Sequence, residues 1–212
     1  MEYVLGFEYP NLEYFFVDNS ANKNYAKKIR EKYGVRVDYV SPKGSKNTEY
    51  MCYSLNRIVK YLRSSYCDYL FNNECDVFAD ENVVTKILCH QKLIANGVYM
   101  MSYGYEAKLQ EQVFEDSFGM NTLRQITEKE GQIKFDGILE QVDGCGIGMM
   151  LAHRLIFEDY LFRINKAVPD AHADTFFYQD MHERGINIYR DNTIHCEHLN
   201  TANNWEYITD KK

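Results

Sequence analysis

The hydrophobic pattern of residues 13–103 constrains the fold more than any other feature of this chain. Short apolar or alternating segments predict strands at 13–17, 35–40, 68–72 and 98–103. Apolar residues at helical spacing between these segments predict helices at 21–34, 48–65 and 81–97. An alternation of strands and helices is typical of an α/β fold, so we expect a mostly parallel central sheet flanked by helices.

Single residues indicate where these helices begin and end and which faces they bury. Asn19 or Ser20 is expected to cap the first helix, while Gly34 and Gly97 are expected to terminate the first and the third. The apolar face of the second helix is predicted to carry Met51, Leu55, Ile58 or Val59, and Leu62. That of the third is predicted to carry Val84, Ile87, Leu88 and Leu93.

The pattern changes after about residue 104, where a charged and weakly periodic segment begins. Beyond it, the segment 146–162 predicts a short strand and a helix, and the segment 174–191 predicts a helix, a glycine stop and a strand. With 212 residues, 45% of them hydrophobic, the chain is long enough for one large domain with a substantial core. We therefore expect a single domain over 1–212, with an ordered half at 1–103 and a more irregular half at 104–212.

Charge and cysteine content limit the classes of partner and compartment. A formal net charge of −7 disfavours nucleic acid, whose phosphates need clustered lysine and arginine. The basic cluster at 27–32 is interpreted as the solvated face of a helix. The six cysteines include no C-x-x-C pair, which is typical of reduced cysteines. The start lacks a basic signal-peptide region and no apolar run approaches about 18 residues, so we expect a cytoplasmic protein without a membrane span.

Three polar clusters follow predicted strands at the sheet edge where ligands bind in open α/β folds, and one of them is the turn after the strand at 98–103. Asp18, Asn19 and Ser20 come after the first strand, whereas Glu74 and Asp76 come after the third. Two carboxylates held one residue apart at the end of an extended segment lie on one side and repel each other unless a cation lies between them. Mg²⁺ or Mn²⁺ suits such a pair when substrate phosphates complete the coordination. The alternative is a solvated acidic loop that precedes the next helix.

Two histidines near the end of the sequence are further candidate metal ligands. Alternation along the strand at 194–198 places His198 on one face with Ile194 and Cys196, and His195 on the other. One neutral imidazole can complete a divalent site. The two histidines together also suggest zinc, but the sequence offers no C-x-x-C partner for that metal.

An acid at a predicted helix start is the candidate catalytic base. Asp174 either caps the helix or presents a carboxylate to a cleft, as a general base requires. Asp170 and His172 are close enough in the sequence to compete for either role. The three glycines of VDGCGIG, at 142–148, permit close backbone approach to a ligand or a strand, or form a tight loop.

Taken in order, these segments resemble the nucleotide-sugar glycosyltransferases of the GT-A fold. YPNLEYFFVDNSA resembles a family strand that ends in Asp-Asn, and the segment from YSLNRIV to NNECDV resembles a helix followed by the strand with the D-x-D motif. VDGCGIGMMLAHRLIFE resembles the acceptor-side strand and helix, and CEHL resembles a late strand whose histidine can complete the metal site. The resemblance covers most of the chain, is weakest over 104–140, and extends to virus-encoded members of the family.

The resemblance implies an activity and a role for each candidate residue. It implies transfer of a hexose or deoxyhexose from a nucleoside-diphosphate sugar, with UDP as the expected carrier, to a glycan or glycoprotein acceptor. Mn²⁺ or Mg²⁺ is the implied cofactor, with Asp76, Glu74 and His198 as ligands. Asp174 is the implied catalytic base if the reaction inverts the sugar configuration. The residues implied to bind the nucleotide sugar are Asp18, Asn19, Ser20, Asn56, Arg57, Glu74 and Asp143.

The resemblance to viral members carries further expectations, and the sequence departs from the family at two positions. The viral members imply capsid glycan synthesis in the host cytosol and further domains of a longer polypeptide. Glu74 stands in place of the first Asp of D-x-D, and Ala173 stands in place of a Glu before Asp174. Two alternatives stay open: a nucleotidyltransferase that uses the same acidic pair, and a non-catalytic carbohydrate-binding or interaction domain.

Overall fold

The structure, a computed structural model, describes residues 2–41, 47–103, 106–114, 121–126, 139–165, 167 and 172–199. The chain forms two compact units. The two-strand unit consists of Asn11–Asp68 and Arg154–Phe177, and the eight-strand unit consists of Met1–Pro10, Tyr69–His153 and Tyr178–Lys212. The expected single domain with halves at 1–103 and 104–212 is a different division of the chain, and it stays a prediction.

The two-strand unit opens with a parallel strand–helix–strand motif. Strands β1 (Phe15–Asp18) and β2 (Arg36–Tyr39) pair in parallel, and helix α1 (Asn24–Tyr33) connects them. As predicted, α1 stops at Gly34, whose φ of 65° lets its N–H bond the Arg30 carbonyl. The first two predicted strands and the helix between them are therefore confirmed.

The predicted cap of α1 was wrong. Lys23 occupies the capping position and makes no side-chain hydrogen bond there. Asp18, at the end of β1, instead accepts the Ala26 N–H at 3.0 Å through Oδ2. A carboxylate from the preceding strand thus satisfies a donor of the first helical turn, which removes the need for a local cap.

Helix α2 (Asn47–Ser64) packs its apolar face within the same unit. The deeply buried residues on that face are Cys52, Leu55, Val59 and Leu62. The face is therefore rotated slightly from the predicted one, because Val59 rather than Ile58 points inward and Cys52 replaces Met51. A short 3-10 helix at Arg154–Phe157 belongs to this unit.

The eight-strand unit contains one mixed sheet. Its strands are β3 (Tyr69–Asn73), β4 (Val77–Phe78), β5 (Ile94–Tyr103), β6 (Glu106–Phe114), β7 (Asn121–Ile126), β8 (Leu139–Val142), β9 (Met149–His153) and β10 (Ile188–His198). The main order is β3-β9-β5-β10-β4, while β8 pairs with β10, β6 pairs with β5, and β7 pairs with β6. Helix α3 (Val83–Leu88) belongs to this unit, and helix α4 (Ala173–Glu183) contributes residues to both units.

The α/β class is as expected, but the sheet is mixed rather than mostly parallel. Among the described strands, only β1–β2 and β5–β10 pair in parallel. Strand β9 lies between β3 and β5 and is antiparallel to both. Hydrophobic period shows that a segment is a strand but carries no information about the direction of its neighbour, so the insertion of β9 was not foreseen.

The boundary between the third predicted helix and the following strand was misplaced. Helix α3 ends at Leu88, and β5 already begins at Ile94, so Gly97 lies inside a strand. A Cβ atom on Gly97 would lie 2.9 Å from Ile194 Cγ2 and 3.1 Å from Cys196 Sγ. This glycine therefore permits close packing of β5 against β10 instead of ending a helix.

Strand β10 contains an irregularity that changes its register with β5. Arg190 lies opposite Asn96, whereas His195 lies opposite Val98, so β10 has extra residues at this point. After it, Ile194, Cys196 and His198 are buried and the residues between them are exposed. The predicted alternation of this strand is therefore confirmed.

The segment after residue 104 contains more regular structure than its pattern indicated. Strands β6 and β7 are antiparallel neighbours in it. The strand predicted within 146–162 corresponds to β9, but only the short 3-10 helix at Arg154–Phe157 stands where a helix was predicted after it. The helix, glycine stop and strand predicted over 174–191 correspond to α4, Gly185 at φ 69° and β10. Within the described ranges, no helix combines the length and the apolar character that a membrane crossing requires.

Candidate functional site

The two candidate carboxylates lie in a tight turn between β3 and β4. The Val77 N–H bonds the Glu74 carbonyl at 3.2 Å, which closes the turn. Asn73 braces it, because its Nδ2 donates to the carbonyls of Glu74 and Val77, each at 2.8 Å. The strand thus ends in a turn whose backbone is fixed by the residue just before it, and we call residues 74–76 the acidic turn.

Asp76 faces His198, the residue that the resemblance names with it as a metal ligand. Asp76 Oδ2 and His198 Nε2 are 3.3 Å apart, and the imidazole is 8% exposed while the carboxylate is 30% exposed. Antiparallel pairing of β4 with β10 places His198 opposite Val77, and the Leu199 N–H bonds the Asp76 carbonyl at 2.9 Å. Two residues that are far apart in the sequence are therefore adjacent because of strand pairing.

The Asp76–His198 pair offers one oxygen and one nitrogen of the kinds that bind a divalent ion. Ligand bonds of Mn²⁺ or Mg²⁺ are about 2.1 Å, so adjacent donors around such an ion lie roughly 3 Å apart. The carboxylate is partly exposed and the histidine is buried, which leaves one side of the pair accessible. Within the described residues, no group of three or more His, Cys, Asp or Glu side chains is arranged to hold a metal ion.

Glu74 begins a turn, whereas we expected the two acids to lie at the end of an extended segment. Its N–H bonds the Gly148 carbonyl at 2.9 Å. Its Oε2 lies 2.9 Å from the place that a Cβ on Gly148 would occupy. The carboxylate of Glu74 therefore lies against the glycine loop, which we define as residues 144–148, and its role as a metal ligand stays a prediction.

The side chain between the two acids is a thiol whose ionisation is disfavoured. Desolvation raises the pKa of Cys75, and the carboxylates of Asp76 and Glu74 raise it further. The neutral thiol adds no charge to the acidic turn. None of the six cysteines forms a disulfide.

Zinc binding by His195 and His198 together is incompatible with the strand. His198 is buried on one face of β10, and His195 is exposed on the other. Residues that are an odd number of positions apart on a strand point to opposite faces, so the two imidazoles cannot bind the same ion.

Tyr99 also lies beside the Asp76–His198 pair. We did not predict it from the sequence, where it is one aromatic residue of a strand. Its ring meets the His198 ring edge to face, with centroids 5.6 Å apart. Its hydroxyl accepts the Gly148 N–H at 3.0 Å. A signal was available in the glycines, since Gly146 and Gly148 are the positions where the tyrosine approaches the backbone.

In the two-strand unit, Asp18 organises the loop that follows β1. It is 9% exposed, and its Oδ1 accepts the Ser20 N–H at 3.0 Å while its Oδ2 accepts the Ala26 N–H. Asn19 and Ser20 are half-buried, and Tyr39 donates its hydroxyl to the Ser20 carbonyl at 3.2 Å. The three predicted nucleotide-binding residues therefore form one ordered loop, whose nucleotide-binding role stays a prediction.

Asn56 and Arg57 have different local roles within α2. The Asn56 amide donates to the Phe162 carbonyl and accepts the Phe162 N–H, both at 2.8 Å. Arg57 is half-exposed and lies 3.5 Å from an Asp38 carboxylate oxygen. Asn56 thus holds the backbone of the 154–162 segment, while Arg57 is accessible to an anionic ligand.

The remaining predicted site residues lie at the ends of elements. Asp174 is half-buried in the first turn of α4, where its Oδ1 accepts the Thr175 N–H at 2.7 Å. Burial raises the pKa of Asp174, while the charge of His172 and the hydrogen bonds from Thr175 oppose the rise. Asp143 is half-buried and directly follows β8 in the eight-strand unit. Asp170, the competing acid, lies outside the described residues.

A second acid–histidine pair, also missed in the sequence, stabilises the irregularity of β10. His90 Nε2 and Asp191 Oδ2 are 2.7 Å apart, and the Asp191 carboxylate is 3% exposed. Its Oδ1 accepts the N–H and the hydroxyl of Thr193 at 2.8 and 2.7 Å. Burial alone would raise the pKa of Asp191, but the bonds from His90 and Thr193 hold it below its usual value.

Comparisons with known proteins add little to this geometry. The chain matches no protein-family model and no curated protein. Among solved structures it is similar to the crystal structure of A197 from STIV, with a TM-score of 0.48 and 15% sequence identity over 87% of this chain and 83% of that chain. Similarity at this level supports no inference about what the chain does.

Proposed function

We propose that this chain is a metal-dependent glycosyltransferase with a GT-A-like domain. In this proposal it transfers a hexose or deoxyhexose from a UDP-linked or related nucleotide sugar to a glycan acceptor, such as a capsid glycan of a virus. The observation that supports the proposal best is that Asp76 and His198 lie side by side, since the resemblance implies these same two residues as ligands of one metal ion.

The Asp76–His198 pair is the proposed holder of Mn²⁺ or Mg²⁺. When bound, such an ion neutralises the negative charge that develops on the departing nucleoside diphosphate. Asp76 supplies a hard oxygen ligand, and His198 supplies a neutral nitrogen at a buried position on a paired strand. Glu74 is proposed to act through a water or through the donor, since its carboxylate faces the glycine loop.

Asp174 is the proposed base if the reaction inverts configuration. Because burial raises the pKa of this carboxyl, the ionised form is a stronger base than an exposed aspartate. It would take the proton from the acceptor hydroxyl as that oxygen attacks the sugar. If the reaction retains configuration, Asp174 is proposed to position the acceptor or the sugar instead.

The nucleotide moiety is assigned to residues of the two-strand unit by the resemblance. Asp18 is proposed to hold the loop that contacts the base or ribose rather than to contact it with a free carboxylate, since both of its oxygens accept backbone N–H groups. Asn19 and Ser20 offer polar atoms in that loop, and Arg57 offers a charge suited to a phosphate.

Radiolabel transfer from a panel of nucleotide sugars tests the proposal. We expect transfer in the presence of Mn²⁺, with Asp76→Asn lowering the rate more than about 100-fold, since loss of outer-shell partners alone costs roughly 10- to 100-fold. Asp80→Asn is the matched control, because Asp80 is an exposed acid of the same segment that pairs with Lys86. Full activity of Asp76→Asn or after chelation contradicts the metal role.

The released product separates this proposal from its main alternative. A glycosyltransferase releases a nucleoside diphosphate, whereas a nucleotidyltransferase with the same acidic pair releases pyrophosphate. A protein that binds no nucleotide with or without Mn²⁺ in calorimetry favours the non-catalytic carbohydrate-binding alternative.

A further inference from the structure

The peptide unit between Ile147 and Gly148 is held at both of its polar ends. Asn72 of β3 donates its Nδ2 to the Ile147 carbonyl at 2.7 Å. Tyr99 of β5 accepts the Gly148 N–H on its hydroxyl at 3.0 Å. Both side chains are more than nine-tenths buried, so rotation of this peptide would break two sheltered hydrogen bonds at once.

The same glycine connects this held peptide to the acidic turn. The Gly148 carbonyl accepts the Glu74 N–H at 2.9 Å. The Tyr99 hydroxyl and Glu74 Oε2 each lie 2.9 Å from the place of a Gly148 Cβ, so a larger residue would push one of them away. At Gly146 a Cβ would lie 2.0 Å from the Tyr99 hydroxyl. The glycines therefore leave the space in which Tyr99 and Glu74 meet the backbone.

Tyr99 also contacts the other half of the candidate site. Its ring meets the His198 ring edge to face at an interplanar angle of 62°. Register between β5 and β10 places Tyr99 opposite Cys196, two residues before His198 on the same face. One side chain thus contacts the histidine with its ring and the glycine loop with its hydroxyl.

We propose that Tyr99 is a positioning residue that couples the orientation of His198 to the Glu74 end of the acidic turn through Gly148. The ring restricts rotation of the His198 imidazole, which keeps Nε2 directed at Asp76. The hydroxyl fixes Gly148, whose carbonyl in turn fixes the start of the acidic turn at Glu74. This role rests on the proposed metal-dependent function, because its consequence is a preorganised site for a divalent ion and a diphosphate.

Tyr99→Phe is the variant that tests the coupling, because it keeps the ring on His198 and removes only the hydroxyl. Tyr69→Phe is the matched control, since Tyr69 also meets a histidine edge to face, with its ring centroid 4.8 Å from that of His153. Binding of Mn²⁺ together with UDP is measured by electron paramagnetic resonance at equal folded fraction. We expect Tyr99→Phe to weaken binding about tenfold and Tyr69→Phe to leave it unchanged.

A second measurement uses the metal-free protein and separates positioning from general loss of stability. Nuclear magnetic resonance is expected to show slow hydrogen exchange at the Gly148 amide in the wild type. In Tyr99→Phe we expect faster exchange there and shifted Glu74 amide and His198 ring resonances. Rapid exchange of the Gly148 amide in the wild type overturns the coupling without any need for a variant.

The outcomes distinguish this inference from the proposed function. If the wild type binds Mn²⁺ and UDP, Asp76→Asn abolishes that binding and Tyr99→Phe binds as well as wild type, the positioning role is overturned and the function stands. If the wild type binds neither, the proposed function is overturned, and the positioning role is overturned with it.

Discussion

At the scale of single residues, Asp191 is the most deeply buried acid among the described side chains of the eight-strand unit. Its carboxylate is almost completely buried and accepts bonds from His90 and from the backbone and hydroxyl of Thr193. Because these bonds favour the ionised form, the pKa of Asp191 lies below its usual value. As the pH falls, Asp191 is therefore protonated at a higher pH in the unfolded chain than in the folded chain.

This linkage predicts how stability depends on pH. Asp191→Asn is expected to lower the free energy of unfolding at pH 7 by about 1–3 kcal/mol, because a buried, charge-assisted network is disrupted. The stabilisation is fully present above the unfolded pKa near 4 and is lost as pH falls through the lower folded value, so the deficit should shrink below about pH 4. Urea unfolding from pH 7 to pH 3 measures it.

The control for this experiment is Glu158→Gln, which changes an exposed acid. We expect that variant to remain within about 0.5 kcal/mol of wild type at every pH. A deficit of Asp191→Asn that stays constant from pH 7 to pH 3 would contradict the linkage.

At the scale of elements, α2 is attached to the 154–162 segment by two polar side chains on one side of the helix. Asn56 makes a donor and an acceptor bond with the backbone of Phe162. Arg63, two turns later, donates to the carbonyls of Phe157 and Tyr160 at 2.5 and 3.0 Å. Because these hydrogen bonds are made to backbone atoms, they fix the path of a chain segment that has little regular structure of its own.

We predict that Asn56→Ala lowers the free energy of unfolding by about 2 kcal/mol or more, because a carbonyl and an N–H lose their partner. Arg57→Ala, the neighbouring control, is expected to cost no more than about 1 kcal/mol, since its ion pair with Asp38 is exposed to solvent screening. Chemical denaturation of both variants checks the difference. Equal small losses would show that Asn56 is not a structural clamp.

At the scale of the whole molecule, the sequence predicted elements better than it predicted their arrangement. Strands β1, β2 and β3 and helix α1 follow from the local hydrophobic period. The end of α1 follows from Gly34, because its left-handed conformation depends on that residue alone. The antiparallel insertion of β9 and the early start of β5 depend on which segments meet, and local pattern does not encode that. The end of α3 was predicted wrongly because Gly97 permits close packing of β5 against β10, and this requirement arises only in the tertiary structure.

The candidate site was predictable only in part for the same reason. Asp76 and His198 could be named because both chemical type and order along the chain matched a known pattern. Tyr99 and the His90–Asp191 pair could not be named from the sequence, because a tyrosine in a strand and a histidine after a helix are common. Their roles depend on residues that become neighbours only in the folded chain.

A ligand-dependent rise in thermal stability is the prediction at this scale. With Mn²⁺ and UDP at about 100 times the dissociation constant, the folded state gains about 2.7 kcal/mol, which corresponds to a Tm increase of roughly 5–10 °C for a chain of this size. Asp76→Asn is expected to remove this rise, while Asp80→Asn keeps it. A scanning fluorimetry experiment in which Mn²⁺ and UDP leave the wild-type Tm unchanged would argue against the proposed ligands.

The irregularity of β10 has a consequence for how this chain can vary. The irregularity lies between a stretch of β10 that pairs with β8 and a stretch that ends beside Asp76. The number of residues between Arg190 and His195 therefore determines which face of the sheet each later residue of β10 points to. Loss of one residue there would turn Glu197 toward the core and His198 toward solvent. Selection is therefore expected to remove single-residue insertions and deletions in this stretch, and any surviving length changes should come in pairs.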